Sequence, residues 1–263
     1  MELDEQIALL SGDGMWHTET VPGLGSAMLS DGPHGLRAQE AAGEHLGLLD
    51  SAPATCFPTA VTLASSWDED LIAQVGAAVG AEARAAGVAV VLGPGMNIKR
   101  HPRCGRNFEY FSEDPLLSGR LAAALASGIQ SQGVGACLKH FAVNNQESHR
   151  FVVDAVLDER TLREIYLAGF EYAVKVVRPW TVMAAYNLVN GTYATDNQVL
   201  LTQILRDEWG FDGLVMSDWG ATNDRVAGVV AGMDLEMPDS KGAFDQQVRA
   251  ALATGRLTAA DVQ

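Results

Sequence analysis

Asp218 and Trp219 stand one serine beyond a short apolar run, residues 213–216, inside Gly210-Phe-Asp-Gly-Leu-Val-Met-Ser-Asp-Trp-Gly220. The run reads as a buried strand, and in parallel α/β folds side chains meet a ligand at the carboxyl ends of the strands. A carboxylate delivered there is a candidate for catalysis, and the indole beside it suits the apolar face of a sugar. Asp218 is equally placed to cap a helix beginning near Thr222, so this segment alone leaves both readings open.

Other apolar runs end in polar residues too. Ser30-Asp31-Gly-Pro-His-Gly-Leu-Arg37 sets an acid and a base in a tight turn, where Asp31 can accept from two vicinal hydroxyls and Arg37 can hold it. The plainer reading is an ordinary Asp-Gly-Pro turn with a surface ion pair. Between Lys99 and Asp114, Arg103, Arg106 and Glu109 interleave with Phe108, Tyr110 and Phe111. Such a mixture suits an ordered, half-buried loop whose charges are paired. Lys139-His140-Phe141, followed by Asn144-Asn-Gln-Glu147 and Arg150, brings more donors. Lys139 alone suits a Schiff base, whereas a lysine beside histidine and amides suits hydroxyl recognition. His140 has no second histidine at metal-ligand spacing. In Met183-Ala-Ala-Tyr186 the phenol lies at the next strand end, within reach of Asp218, although a single tyrosine there is more often core.

These residues need strands to carry them. Runs at 88–92, 134–138, 181–185 and 213–216 are expected strands, with a weaker one at 233–236. Helical patterns alternate with them. Ser66-x-x-Glu69 is a capping box that opens a helix to about residue 86. Asp114-Pro115 supplies an N-cap and a proline at the first helical position for a helix to about residue 130. Asp158 caps a helix whose Leu162, Ile165, Tyr166, Gly169, Tyr172, Ala173 and Val176 form one stripe, stopped by Pro179. Alternating β and α elements imply a parallel sheet, and the length favours a TIM-like (β/α)8 barrel, incomplete or irregular. Residues 1–60, rich in Gly, Pro and Ala, read as irregular, with 40–53 a flexible loop. The chain is expected to be one barrel domain over 1–263, and it stops in a helix-like segment.

Bulk properties narrow the function. The 263-residue chain is 48% apolar and 19% charged, ordinary for a globular fold. A net charge of -15 argues against binding nucleic acid and fits an uncharged substrate. No run reaches the length that spans a bilayer, and the acidic start lacks the features of a secretion signal. Cys56, Cys104 and Cys137 are odd in number and not at zinc spacing, so they read as thiols in a reducing, cytoplasmic setting. Asn190-Gly191-Thr192 reads as a turn.

Taken in order, these segments resemble the N-terminal catalytic domain of glycoside hydrolase family 3, on its β-glucosidase branch. The matching stretches are Ser30 to Arg37, Arg103-Cys-Gly-Arg-Asn-Phe-Glu-Tyr-Phe-Ser-Glu-Asp114, Leu138-Lys-His-Phe141 with Asn144-Asn-Gln-Glu147, Met183-Ala-Ala-Tyr-Asn187 and Val215-Met-Ser-Asp-Trp219. The resemblance implies a retaining hydrolase that forms a covalent glycosyl-enzyme intermediate on Asp218. It implies that Asp31, Arg37, Arg106, Lys139, His140, Arg150 and Tyr186 bind the sugar, with Met183 and Trp219 lining the pocket. No cofactor or metal is implied. A retaining mechanism needs a second carboxyl group as acid and base, and Asp218 is expected to stay ionised because Arg and Lys charges hold its pKa low.

The pattern departs from the family in one respect. Family β-glucosidases usually take the acid/base Glu from a following α/β sandwich domain, which is absent from this sequence. Glu109, Glu113 and Glu147 are internal candidates, but their motif positions look structural. The family's histidine-based variant carries Lys-His-Phe-Pro-Gly, broken here by Ala142-Val143-Asn144. The expectation is therefore a fragment, a shortened version or one half of a split enzyme, completed by a second domain or chain. The expected ligand is a β-glucoside or short oligosaccharide. The alternatives are a non-catalytic sugar-binding barrel, a β-xylosidase or other exo-glycosidase of the family, and a Schiff-base aldolase using Lys139.

Overall fold

The computed structural model describes residues 1–39 and 51–262. Most of the expected loop at 40–53, namely 40–50, lies outside the described residues. The strands in chain order are β1 (Gly12–Asp13), β2 (His17–Thr18), β3 (Met28–Asp31), β4 (Val88–Leu92), β5 (Gly135–Phe141), β6 (Asp154–Ala155), β7 (Thr181–Ala184), β8 (Leu188–Val189), β9 (Thr192–Tyr193) and β10 (Leu214–Ser217). The helices are α1 (Leu3–Leu9), α2 (Ala60–Ala64), α3 (Glu69–Ala85), α4 (Pro115–Gln130), α5 (Glu159–Thr161), α6 (Ala168–Val177), α7 (Arg225–Ala231) and α8 (Ala243–Ala253). Residues 1–39 are thus more regular than their composition suggests: α1 and three short strands lie there. Strands this short, set among glycines, leave no periodic signal.

A seven-stranded sheet in the order β1-β2-β3-β4-β5-β7-β10 curls into a half-barrel. From β3 to β10 the neighbours are parallel, and β1 and β2 add antiparallel pairs at one edge. The expected strand at 233–236 is present only as isolated bridges, Met216 with Leu235 and Ser11 with Glu236. Asn190 and Gly191, both at positive φ, make the turn of the small β8–β9 hairpin.

Alternation along the strands sorts the core into two layers. Leu29, Val90, Leu92, Cys137, Met183 and Met216 pack together on the inner face. Their out-of-phase neighbours Val91, Ala136, Leu138, Val182 and Val215 pack under the helices. Two residues beyond Leu29, Cys137 and Met216, the inner face therefore presents Asp31, Lys139 and Asp218. On the outer side Phe141 anchors the end of β5, edge-on to Phe170 at 5.3 Å and to Trp209 at 5.9 Å. Each such ring pair adds about 1 kcal/mol to the area it buries.

The helix caps fall where side-chain chemistry puts them, with one shift. Asp114 and Asp158 accept from the Leu117 and Thr161 N–H groups as expected. Helix α3 begins at Glu69 under Asp68, not under Ser66, because Asp68 reaches the Leu71 N–H. The expected stripe from Leu162 to Val176 breaks. A π-helical turn at Leu162–Leu167 holds an extra residue and rotates the helix beyond it, so Phe170 and Val174 are buried while Ile165 and Val176 face solvent.

Glu236 is buried beside Arg225 under α7 and α8. Burial pushes its carboxyl up to about 7, against the lowering pull of Ser240 and Arg225. A raised folded-state pKa means this residue lowers stability as pH climbs from its ordinary 4.5 through that value. Glu236→Gln should therefore gain on wild type by ~3 kcal/mol between about pH 4 and about pH 8, read by urea unfolding. A pH-independent difference between the two proteins would refute it.

Candidate active site

The polar tips of β3, β5 and β10 meet in a cavity of about 190 Å³ lined by Trp16, Asp31, Arg37, Leu92, Arg106, Lys139, His140, Arg150, Met183, Tyr186, Asp218 and Trp219. Every site residue singled out from the sequence is among them. A larger groove of about 720 Å³ runs past Arg100, Arg103, Glu147, Asp154 and Tyr166, and it contains none of those residues.

Asp31 is held from two sides. Its Oδ1 accepts from Lys139 Nζ at 2.9 Å and its Oδ2 from Arg37 Nη2 at 3.2 Å. The turn beyond it requires glycine. Gly32 sits at φ 131°, and a Cβ there would strike the Gly35 carbonyl oxygen. Lys139, 3% exposed, also lies 3.7 Å from Glu109. Burial alone would lower its pKa, but Asp31 and Glu109 overcome this and raise it. Burial likewise pushes Asp31 upward, yet Lys139, Arg37 and Arg106 bring it below 3.8. Both groups are charged at neutral pH.

Across the cavity, Arg106 forks onto Glu109 at 2.7 and 2.9 Å. Arg150 bonds Glu147 at 2.9 Å and lies over the Tyr186 ring, 4.4 Å from its centroid. In the loop of mixed charges and aromatics, Arg106 and Glu109 are thus paired and Tyr110 and Phe111 buried, whereas Arg103 and Phe108 face solvent. Arg37, Arg106, Lys139 and Arg150 face Asp31, Asp218, Glu109 and Glu147, so the site is close to neutral within an acidic chain. That balance suits an uncharged polyol.

β5 shifts register between Leu138 and Phe141, and across that irregularity both Lys139 and His140 face the cavity. The His140 main chain exchanges two 2.8 Å bonds with the Asn97 side chain. Its Nδ1 lies 3.1 Å from Tyr110 Oη, which accepts from Asn144. Tyr110 Oη can donate to Nδ1, whereas Asn97 Oδ1, 3.4 Å from the same nitrogen, can only accept from it. Burial, with Arg106, Lys139 and Arg150 nearby, pushes the His140 pKa well below 6.5, so the ring is neutral.

Asp218, 8% exposed, accepts the Trp219 N–H on Oδ1 at 2.7 Å. Its Oδ2 has no hydrogen-bond partner and lies 3.6 Å from His140 Nε2. The helix-capping alternative is set aside, since α7 starts at Arg225 under Asp224. The expectation of a low pKa is corrected. Burial raises the Asp218 carboxyl above 3.8, and Arg106, Lys139, the Trp219 N–H and Arg150 offset only part of this. Tyr186 donates to the Trp219 carbonyl at 2.8 Å, and its hydroxyl is close enough to the Asp218 carboxylate that burial and that carboxylate together raise its pKa. Glu109 and Glu147 serve arginines behind the cavity, and Glu113 lines a different groove beside Trp67. Among the described residues no three His, Cys, Asp or Glu side chains form a metal-holding group.

Two lining residues escaped the sequence reading. Leu92 is in phase with Val90 and closes β4, a signal that alternation offers. Trp16 lies in a glycine-rich turn between two-residue strands, where no pattern exists.

Residues 29–263 match the glycosyl hydrolase family 3 N-terminal domain, and the chain belongs to that family. It is 58% identical to thermostable beta-glucosidase B of Acetivibrio thermocellus over 98% of its own length and 34% of that protein. It is 52% identical to an exo-alpha-(1->6)-L-arabinopyranosidase of Bifidobacterium breve, over all of this chain and 35% of that one. Beta-glucosidase 3B of Thermotoga neapolitana, solved in complex with glucose, superposes with a TM-score of 0.94 at 44% identity, over 100% of this chain and 40% of that one. The chain thus spans about a third of the length of the curated relatives it matches.

Asp31→Asn leaves the buried Lys139 ammonium an amide oxygen in place of an anion, with Glu109 at 3.7 Å as its remaining carboxylate. It should cost ~2 kcal/mol at neutral pH, less than a fully buried pair because Asp31 is partly exposed. A lowered carboxylate pKa stabilises above its unfolded value, so the loss should shrink as pH falls below 3.8. Urea unfolding across pH checks this, and an undiminished gap at acid pH would contradict the pairing.

Proposed function

We propose that the cavity binds one terminal β-D-glucosyl residue and that Asp218 attacks its anomeric carbon in a retaining hydrolysis. The observation that carries this is the unpartnered Asp218 Oδ2, buried at the mouth of a cavity sized for one small ring and walled by donors. A buried carboxylate oxygen left without a partner is costly and marks a group kept for a ligand.

Asp31 and Lys139 would bind adjacent hydroxyls, with the neutral His140 ring beside them. Trp219, Met183 and Leu92 would pack on the apolar ring face. In the first step an Asp218 oxygen bonds to the anomeric carbon as the bond to the leaving oxygen breaks. The proton for that oxygen comes from an acid outside this chain's described residues, a role for which a further domain or a partner chain is suited. Water then cleaves the ester, giving its proton to the same group. The relatives' names favour glucosides over arabinopyranosides by identity, 58% against 52%. The second reading is therefore an exo-arabinopyranosidase. The Met216–Leu235 and Ser11–Glu236 bridges support a sheet that closes into a full, irregular barrel over the whole chain. Three unpaired cysteines support a reducing, cytoplasmic setting.

A 2-deoxy-2-fluoro-β-D-glucosyl fluoride tests the assignment without the acid, because fluoride leaves unaided. The peptide bearing Asp218 should gain one sugar mass, and Asp218→Asn should slow turnover of the intact protein by ~10³-fold or more. Label on any other carboxylate, or preference for the α-L-arabinopyranosyl analogue, would redirect the reading. The raised Asp218 pKa predicts that labelling falls away on the acid side at a pH above the ordinary aspartate value of 3.8. Arg106→Gln removes the largest opposing charge and should move that limb higher still; a limb that stays put would show Asp218 is not the titrating group.

A further inference from the structure

Among the cavity-lining residues only Trp16 precedes residue 29, where the family match begins. It lies between β1 and β2 and is 6% exposed. Its carbonyl accepts the Leu29 N–H at 2.7 Å, which ties the turn to β3. The other side of the turn is tied to the chain beyond β10: Gly12 N–H donates to the Glu236 carbonyl at 3.1 Å and Asp239 N–H to the Gly14 carbonyl at 3.0 Å. The turn is therefore a fixed strut between the first and last parts of the sheet.

That strut grips Trp219. The Trp16 and Trp219 rings lie 5.3 Å apart, tilted by 36°. Trp219 Nε1 donates to the Met15 carbonyl at 2.8 Å. Trp219's other two polar groups serve the site, its N–H on Asp218 Oδ1 at 2.7 Å and its carbonyl receiving the Tyr186 hydroxyl at 2.8 Å. Oδ1 is thereby occupied, and Oδ2 is the oxygen left to face the ring. We infer that Trp16 is a positioning residue: the β1–β2 turn clamps Trp219 and, through the Trp219 N–H, fixes which oxygen of Asp218 meets the anomeric carbon. This rests on the reading of Asp218 as nucleophile.

A carboxylate that rotates freely attacks less often from the productive geometry, and a misplacement of about 1 Å can cost ~10²-fold in rate. The polar contacts to the sugar come from Asp31, Lys139 and His140, none of which touches Trp16 by a hydrogen bond, and Trp219 supplies only part of the apolar face. Loss of the clamp should therefore affect attack more than affinity.

The test uses the intact protein, Trp16→Leu to keep apolar bulk without a flat ring, and Trp16→Phe to restore one. The saturating rate of labelling by the fluoro-sugar fluoride is measured apart from the dissociation constant for glucose. Trp16→Leu should slow labelling by at least ~10-fold, in keeping with that geometric penalty, and leave glucose affinity within about threefold. Trp16→Phe should recover the rate to within about threefold, although the near-ultraviolet circular dichroism of the indole pair is lost. Labelling of Trp16→Leu at the wild-type rate would overturn the inference, as would equal loss of rate and affinity or no rescue by phenylalanine. Wild type that takes no label at all would instead remove the nucleophile assignment, and this inference with it.

Discussion

The Lys139 ammonium, buried at the end of β5, is the group around which the site is organised. An ion taken from water must find partners of opposite charge, and the surrounding geometry supplies them. Asp31 reaches it from β3 and Glu109 from the loop after β4, while Arg37 and Arg106 neutralise those two carboxylates in turn. The chain of contacts fixes separate parts of the sequence to one point at the rim of the sheet. It also holds the Asp31 carboxylate from two sides at the cavity wall.

Asp218 is treated differently from Asp31. Asp31 is half-buried and Asp218 buried, both near the same cations, yet one pKa is lowered and the other raised. Asp31 is in direct contact with Lys139 and Arg37. Asp218 has a backbone N–H on one oxygen and only more distant charges near the other. The first arrangement suits a group that must stay ionised and fixed. The second suits one whose charge is under-compensated and so available to a carbon carrying developing positive charge.

Much of this could be read from the residues. The strands at 88–92 and 213–216 and the caps at Asp114 and Asp158 rest on local signals, and the structure has them within a residue or so. The polar lining residues were legible because they sit just past apolar runs, as Lys139, Tyr186 and Asp218 do. The illegible features depended on tertiary context. The π-helical turn at Leu162–Leu167 changes the phase of a stripe that assumes an unbroken helix. The direction of the Asp218 shift turns on how far desolvation outweighs charges whose distances no sequence displays. Trp16 acts across more than 200 positions from Trp219, between strands too short to leave a pattern.

The inner-face phasing of β3, β5 and β10 has a consequence for how this domain tolerates change in chain length. Each of these polar tips stands two positions after a core residue, so adding or deleting one amino acid within the strand would swap a cavity-facing polar group for a hydrocarbon. The loops beyond those tips face no such parity rule. Natural variation in length should collect in the connections, while the spans from Leu29 to Asp31, Cys137 to Lys139 and Met216 to Asp218 stay closed to indels.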